Sequence, residues 1–308
     1  MLHSLRLELR SLLEYFLLPG IAAVLPWPIA FRLLRFAVRY PGLYEEEWRP
    51  ALAQARRFVP IDDEARWAHL YRLSRAVDHA DFWTSRLRGD GWLRRHVDVR
   101  QPFPALDGPA VGVFFHWCAG LWGARALKAS GPRASVLAGR FSTRSMGGAR
   151  LGYLYGHIRL RELARASGNP LIYAPGTVKR ALETLAAGRW VCGTPDVPPT
   201  ETALGVPVTL FDRPAVFAEG LLLIARRANV PVVLFTLGLD PVTGRRDQRV
   251  AGPFDPHDPA LLQHIVDYWQ SLLRERSWGF TLWPAMPAWF APAAASVPSP
   301  VPRNPHPA

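Results

Sequence analysis

The residue best suited by type and surroundings to do chemistry is His116. It directly follows the apolar run Val111-Gly112-Val113-Phe114-Phe115 and precedes a helical stretch. In an α/β sheet, ligands gather at the carboxyl ends of strands. A histidine there can act as general base, because its free pKa lies close to neutral pH. A second candidate is the segment GRFSTRSMGG, in which Arg140 and Arg144 stand among glycine and hydroxyl residues. Such a loop can cradle an anion, and the same composition also makes a solvated turn. Other chemistries lack their pattern. No G-x-x-x-x-G-K-[ST] run offers a nucleotide site. No H-E-x-x-H spacing exists and Cys118 and Cys192 stand far apart, so no metal is expected. No G-x-S-x-G elbow marks a serine hydrolase.

The elements that must position His116 read as an α/β domain. Strands are expected at Val111–Phe115, Ser135–Leu137, Leu171–Tyr173, Trp190–Cys192 and Pro231–Leu237. Helices are expected at Leu121–Ala129, Val178–Ala187, Val216–Ala228 and Leu261–Glu275, and residues 41 to 100 look helical throughout. Strands alternating with helices imply a mostly parallel central sheet flanked by helices. With 308 residues and 49% hydrophobic composition, the chain is long enough to bury a real core.

The N-terminal forty residues differ from the rest. Tyr15 to Phe31 carries no charge, is broken by Pro19, Pro26 and Pro28, and is flanked by Arg6, Arg10, Arg32, Arg35 and Arg39. It falls short of the ~20 apolar residues of a spanning helix. The pattern suits an interfacial or hairpin-like membrane anchor, or an amphipathic helix packed on the domain. An anchor of that kind predicts that removing residues 1–40 leaves a soluble protein. The expected organisation is therefore a membrane-associated segment at 1–40, an α/β domain at 41–284, and a disordered Pro/Ala-rich tail at 285–308.

The formal net charge is +12, and of 37 basic residues only Lys128 and Lys179 are lysines. An arginine-rich surface suits an anionic membrane or an acidic carrier protein. Without a zinc-finger, basic-zipper or RNA-binding signature, nucleic acid is not an expected partner. Two cysteines without C-x-x-C spacing point to a reducing, cytoplasmic setting.

Several blocks, in order, resemble the late lipid A acyltransferases, a branch of the lysophospholipid acyltransferase superfamily. GVFFHWCAGLWGARAL is similar to their first motif, a histidine followed after four residues by Asp or Glu. LIYAPGTVKRALETLAAGRWVCGTPDVPP is similar to their helix, strand and Pro-Asp loop. LGVPVTLFDRPAVFAEGLLLIARRANVPVVLF and VAGPFDPHDPALLQHIVDYWQSLLRERSWGFTLWP are similar to the blocks that close the domain.

The resemblance implies the glycerolipid and lipid A acyltransferase fold. It also implies acyl transfer from acyl carrier protein or coenzyme A to a hydroxyl or amine of a membrane-associated acceptor, such as a lipid A-type or other envelope lipid. The thioester is a co-substrate, so no cofactor is implied, and the setting is the cytoplasmic face of a bacterial inner membrane. Two departures stand out. The acid position five after His116 is Leu121, so a substitute carboxylate must come from elsewhere, with Asp196 in the Pro-Asp loop and Glu219 before Gly220 as candidates. Each also has an ordinary structural reading, Asp196 as a loop cap and Glu219 as a solvated charge. Arg165, with Arg161 before it, occupies about the place of the family's functional arginine. At the end, Trp283 is followed by PAMPAWF and not by a basic cluster, which points away from lipid A itself. The competing reading is a catalytically inactive member of the fold that binds lipid or an acyl carrier within a biosynthetic complex.

Overall fold

The computed structural model describes residues 2–139, 148–174, 176–198 and 205–290, with side chains from Ser4 onward. The strands are β1 (Val97–Val99), β2 (Val111–Val113), β3 (Ala134–Ala138), β4 (Ile172–Tyr173), β5 (Trp190–Gly193), β6 (Gly205–Leu210), β7 (Arg213–Ala218), β8 (Val232–Leu239) and β9 (Arg246–Phe254). Seven of them form one sheet in the order β1-β9-β8-β2-β5-β3-β4. From β8 to β4 all neighbours are parallel, whereas β9 runs antiparallel to β8 and carries β1 parallel to itself. The fold is thus the mixed α/β sandwich that the alternation of elements predicts.

Both faces of the sheet are covered, which explains why its central strands read as unbroken apolar runs. Val111, Val113, Val191, Val232 and Leu234 share one core with α9 (Thr177–Ala186), α10 (Gly220–Ala228) and α11 (Leu261–Glu275). Their alternates, Cys192, Val233 and Phe235, pack on the other side with Leu127 of α7 (Gly120–Ala129) and Leu163 of α8 (Arg150–Ser167). Gly112 sits in β2 between them. A Cβ there would meet Cys192 Sγ at 2.6 Å and Phe235 at 3.0 Å, so a side chain would push β5 and β8 off β2.

The N-terminal segment is helical. It comprises α1 (Leu2–Ser11), a π-helical stretch (Leu12–Leu17), α2 (Leu18–Val24) and α3 (Trp27–Ala37). Pro19 cannot accept its place in a regular ladder, because a proline inside a helix leaves the carbonyl four residues earlier without a donor. Here that carbonyl is Tyr15's, and the Trp83 indole N–H of α5 (Glu64–Leu87) donates to it at 2.8 Å. Pro26 and Pro28 fall at the break between α2 and α3, where a missing N–H costs nothing. Leu18, Ala22, Trp27, Phe31 and Leu34 are buried in the main core, and the Trp27 indole donates to the Gly244 carbonyl at 3.0 Å. Of the two readings of this segment, packing on the domain therefore accounts for its inner face. None of the helices among the described residues is long and apolar enough to cross a membrane.

Three expectations need correction. Val216–Ala228 is not one helix: β7 runs to Ala218, where it pairs with Gly205, and α10 starts at Gly220. The stretch 41–100 also contains a strand, β1, after α4 (Glu45–Ala55), α5 and α6 (Asp90–His96). The C-terminal boundary lies later than residue 284, because a 3₁₀ turn at Trp283–Trp289 buries Trp283, Met286 and Trp289 completely. Residues 291–308 lie outside the described residues.

Candidate active site

His116 and Asp196 are neighbours because β2 and β5 are. The two strands pair Val113 with Gly193 at an offset of 80 residues, and His116 and Asp196 keep that offset three residues further on. The ladder continues past β2 through the Phe114 N–H, which donates to the Gly193 carbonyl at 3.1 Å. Both residues therefore emerge side by side from the carboxyl edge of the sheet.

Asp196 is fully buried and grips His116 twice. Oδ2 accepts the His116 backbone N–H at 2.7 Å, and Oδ1 lies 3.0 Å from Nδ1 of the ring. A carboxylate there holds the proton on Nδ1, which assigns Nε2 as the basic nitrogen. The His116 side chain is 41% exposed, so the acid is beneath the surface and the base is at it.

The loop carrying His116 is fastened from the opposite side by the segment that follows α11. The His116 carbonyl accepts from both the Thr281 N–H at 3.0 Å and the Thr281 hydroxyl at 3.2 Å. Cys118 has φ +49° and donates its N–H to the Gly279 carbonyl at 2.9 Å. Gly279 has to be glycine for this approach, since a Cβ would stand 2.5 Å from Cys118 Sγ. Burial pushes the Cys118 and Cys192 thiols up to about 12, so neither supplies a thiolate at neutral pH. The strap was not foreseen from sequence. Its one visible signal was a glycine between two aromatic residues directly after a long helix.

No family model matches the chain, and no curated protein is significantly similar to it.

The other candidates are placed elsewhere or pair differently. Glu219 lies at the start of α10, near the same edge, yet its carboxylate pairs with Arg226 at 3.0 Å. Asp196, not Glu219, is thus the carboxylate brought to the imidazole. Leu121, five residues after His116, is 4% exposed and packs with Trp122, Ala126 and Leu237 beside Trp92. Arg165 is not brought to His116. It stands near the end of α8, where Gly168 bridges to Ala134, the first residue of β3, so it belongs to the amino edge of the sheet. There it chelates the buried Glu162, with Nε 2.8 Å from Oε2, and also donates to the Ser85 carbonyl. Arg161, one turn earlier in α8, is exposed. Arg140 and Arg144 lie outside the described residues. Among the described residues no group of acidic, histidine and cysteine side chains could hold a metal.

Proposed function

We propose that the chain is an acyltransferase that moves an acyl group from an acyl thioester, carried by acyl carrier protein or coenzyme A, to a hydroxyl or amine of a membrane-associated acceptor. The observation that carries the reading is the double grip of Asp196 on His116 at the carboxyl edge of a parallel sheet. It supplies, from the neighbouring strand, the acid that Leu121 does not. The chemistry follows from the pair. His116 Nε2 takes the proton of the acceptor hydroxyl or amine, and the acceptor oxygen or nitrogen attacks the thioester carbonyl. The buried Asp196 carboxylate stabilises the imidazolium. Collapse of the tetrahedral intermediate expels the thiolate, which takes the proton back from Nε2.

The N-terminal helices support a membrane setting for this reaction. Leu5, Leu9, Leu13, Leu17 and Ile21 are each at least 44% exposed and recur every fourth residue along one side of the α1–π–α2 rod. A π turn holds more residues than an α turn, so residues four apart fall nearly in line across Leu12–Leu17. Such a stripe lies in a bilayer interface without crossing it, with the exposed Arg32 and Arg35 of α3 and Arg39 of the turn after it available to anionic lipid. The acceptor class this favours is an envelope lipid, and the setting is the cytoplasmic leaflet of a bacterial inner membrane. The deciding experiment incubates the full chain with acyl carrier protein or coenzyme A thioesters and extracted envelope lipids, and follows acyl transfer by mass spectrometry. Transfer that disappears in His116→Ala supports the reading; transfer that persists removes it.

A further inference from the structure

Arginines that enter this fold's interior come with a carboxylate. Arg246 is held by Asp81, Arg75 by Glu47, and Arg276 by Asp247. The pairing is needed because an unpaired desolvated charge costs several kcal/mol.

Arg72 breaks the rule. The residue is 6% exposed, and its hydrogen bond is from Nε to the Val38 carbonyl at 3.0 Å. Its guanidinium lies 5.2 Å from the centre of the Trp48 ring. Among the described residues no carboxylate is within ion-pair distance of it. Arg72 and Trp48 line a surface cavity of about 330 Å³, walled otherwise by Pro41, Leu52 and Ala68. Ala65 and Glu64 complete the lining, and the Glu64 carboxylate lies 3.6 Å from the Arg56 guanidinium. More positive charge surrounds the spot. His69 is held below its ordinary pKa by burial first, and then by the charges of Arg72, Arg35 and Arg39.

We propose that the Arg72–Trp48 cavity is a binding site for a phosphate ester. The terminal nitrogens of Arg72, left over from its bond to Val38, would donate to the phosphate oxygens. The fork geometry of guanidinium suits such bidentate contact. The Trp48 ring and the apolar walls would take the organic part. The site stands independently of the His116 chemistry. Two sources fit the same ligand class: the headgroup of an anionic phospholipid, and a soluble phosphate ester. Exposed Phe36 and Tyr40, 68% and 67% accessible beside the cavity's Pro41 in sequence, would sit in the headgroup region in the first case.

The test uses the full chain and two probes, sn-glycerol 3-phosphate in solution and phosphatidylcholine vesicles with or without phosphatidylglycerol. Thermal melting and titration calorimetry read the first, and vesicle flotation reads the second. Glycerol phosphate should raise the melting temperature of the wild type. In Arg72→Gln that rise should vanish and affinity fall about tenfold or more, while the unliganded melting temperature stays the same or increases, because an uncompensated charge has left the interior. Arg72→Lys, which keeps charge without the fork, should retain part of the affinity and serves if the Gln variant does not fold. If flotation on anionic vesicles also falls in the variants, the ligand is the lipid headgroup. If flotation is unchanged while glycerol phosphate binding is lost, it is a soluble ester. The proposal is overturned if the wild type responds to neither probe. It is equally overturned if Arg72→Gln responds to both as the wild type does, and merely melts lower, since Arg72 is then a structural residue.

Discussion

Asp196 does two separable jobs, and a substitution can divide them. Asparagine keeps an oxygen able to accept from the His116 backbone N–H, so the loop should hold its shape. Its amide would turn an N–H toward Nδ1, which moves the ring proton to Nε2 and leaves no base on the substrate side. Asp196→Asn is therefore expected to lower kcat by roughly 10⁴-fold with donor binding nearly unchanged, as initial rates over a donor series would show. Leu121→Glu puts an acid five residues after His116 in sequence only. It places a charge among Trp122, Leu237 and Trp92, and should cost several kcal/mol in denaturant unfolding without raising activity. Gly279→Ala tests the strap. The added methyl collides with Cys118 Sγ, so a loss of about 1–3 kcal/mol is expected, together with reduced turnover. Pairing it with Cys118→Ala should recover part of both.

At the scale of elements, the outer and inner faces of the N-terminal rod are independently testable. Leu9, Leu13 and Leu17 are exposed, so changing the three to glutamine should abolish flotation on anionic vesicles with little change in melting temperature. Unaltered flotation would remove the interfacial role of the stripe. The rod's inner contact with α8 is pH-dependent. Glu8 accepts the N–H groups of Leu151 at 2.9 Å and Arg150 at 2.7 Å, and these bonds, Leu151's first, hold its carboxyl below the ordinary carboxylate range. The sign follows from the direction. A carboxylate with a depressed folded pKa favours the docked state above its unfolded pKa, and that contribution is lost as the pH falls through the folded value. Protection of the Arg150 and Leu151 amides, relative to their intrinsic exchange rates, should therefore fall in acid more than elsewhere in α8, and Glu8→Gln should weaken it at neutral pH too.

For the molecule as a whole, the N-terminal forty residues cannot be removed as an anchor would be. Trp27, Phe31 and Leu34 are at most 5% exposed in the main core. At about 1.5–3 kcal/mol for each buried large side chain, their loss consumes much of the ~5–15 kcal/mol that holds a domain folded. A chain starting at residue 41 should be recovered as aggregate, with or without membranes; a soluble, cooperatively melting product would contradict this account.

How much of this was legible beforehand follows physical lines. β2, β5 and β8 were visible because strands buried on both faces show as apolar blocks. The hairpin of β6 and β7 was not, because its alternation is interrupted by Pro207 and Pro214 and its end runs without a break into α10. β9 was hidden because it mixes charge with apolar residues: Arg246 and Asp247 are buried in ion pairs that only the folded chain reveals. Asp196 could be named as a candidate from its loop. Choosing it over Glu219 required the register between two strands, which no local pattern records.

The π-helical stretch has a consequence for the history the chain can tolerate. A π turn amounts to one residue more than an α turn in the same span. Deleting a single residue within Leu12–Leu17 would let the rod close into a continuous α-helix at no cost in backbone hydrogen bonds. The rod would survive with its two halves in phase, because six residues wound at the π rate and five at the α rate turn through about the same angle. Leu5 and Leu9 would keep their line with Ile21, and Glu8 its place at the start of α8. The π stretch thus stores one residue that the rod can lose without moving either end, whereas a single deletion within α1 or α2 would turn everything before it by about 100° and undock Glu8.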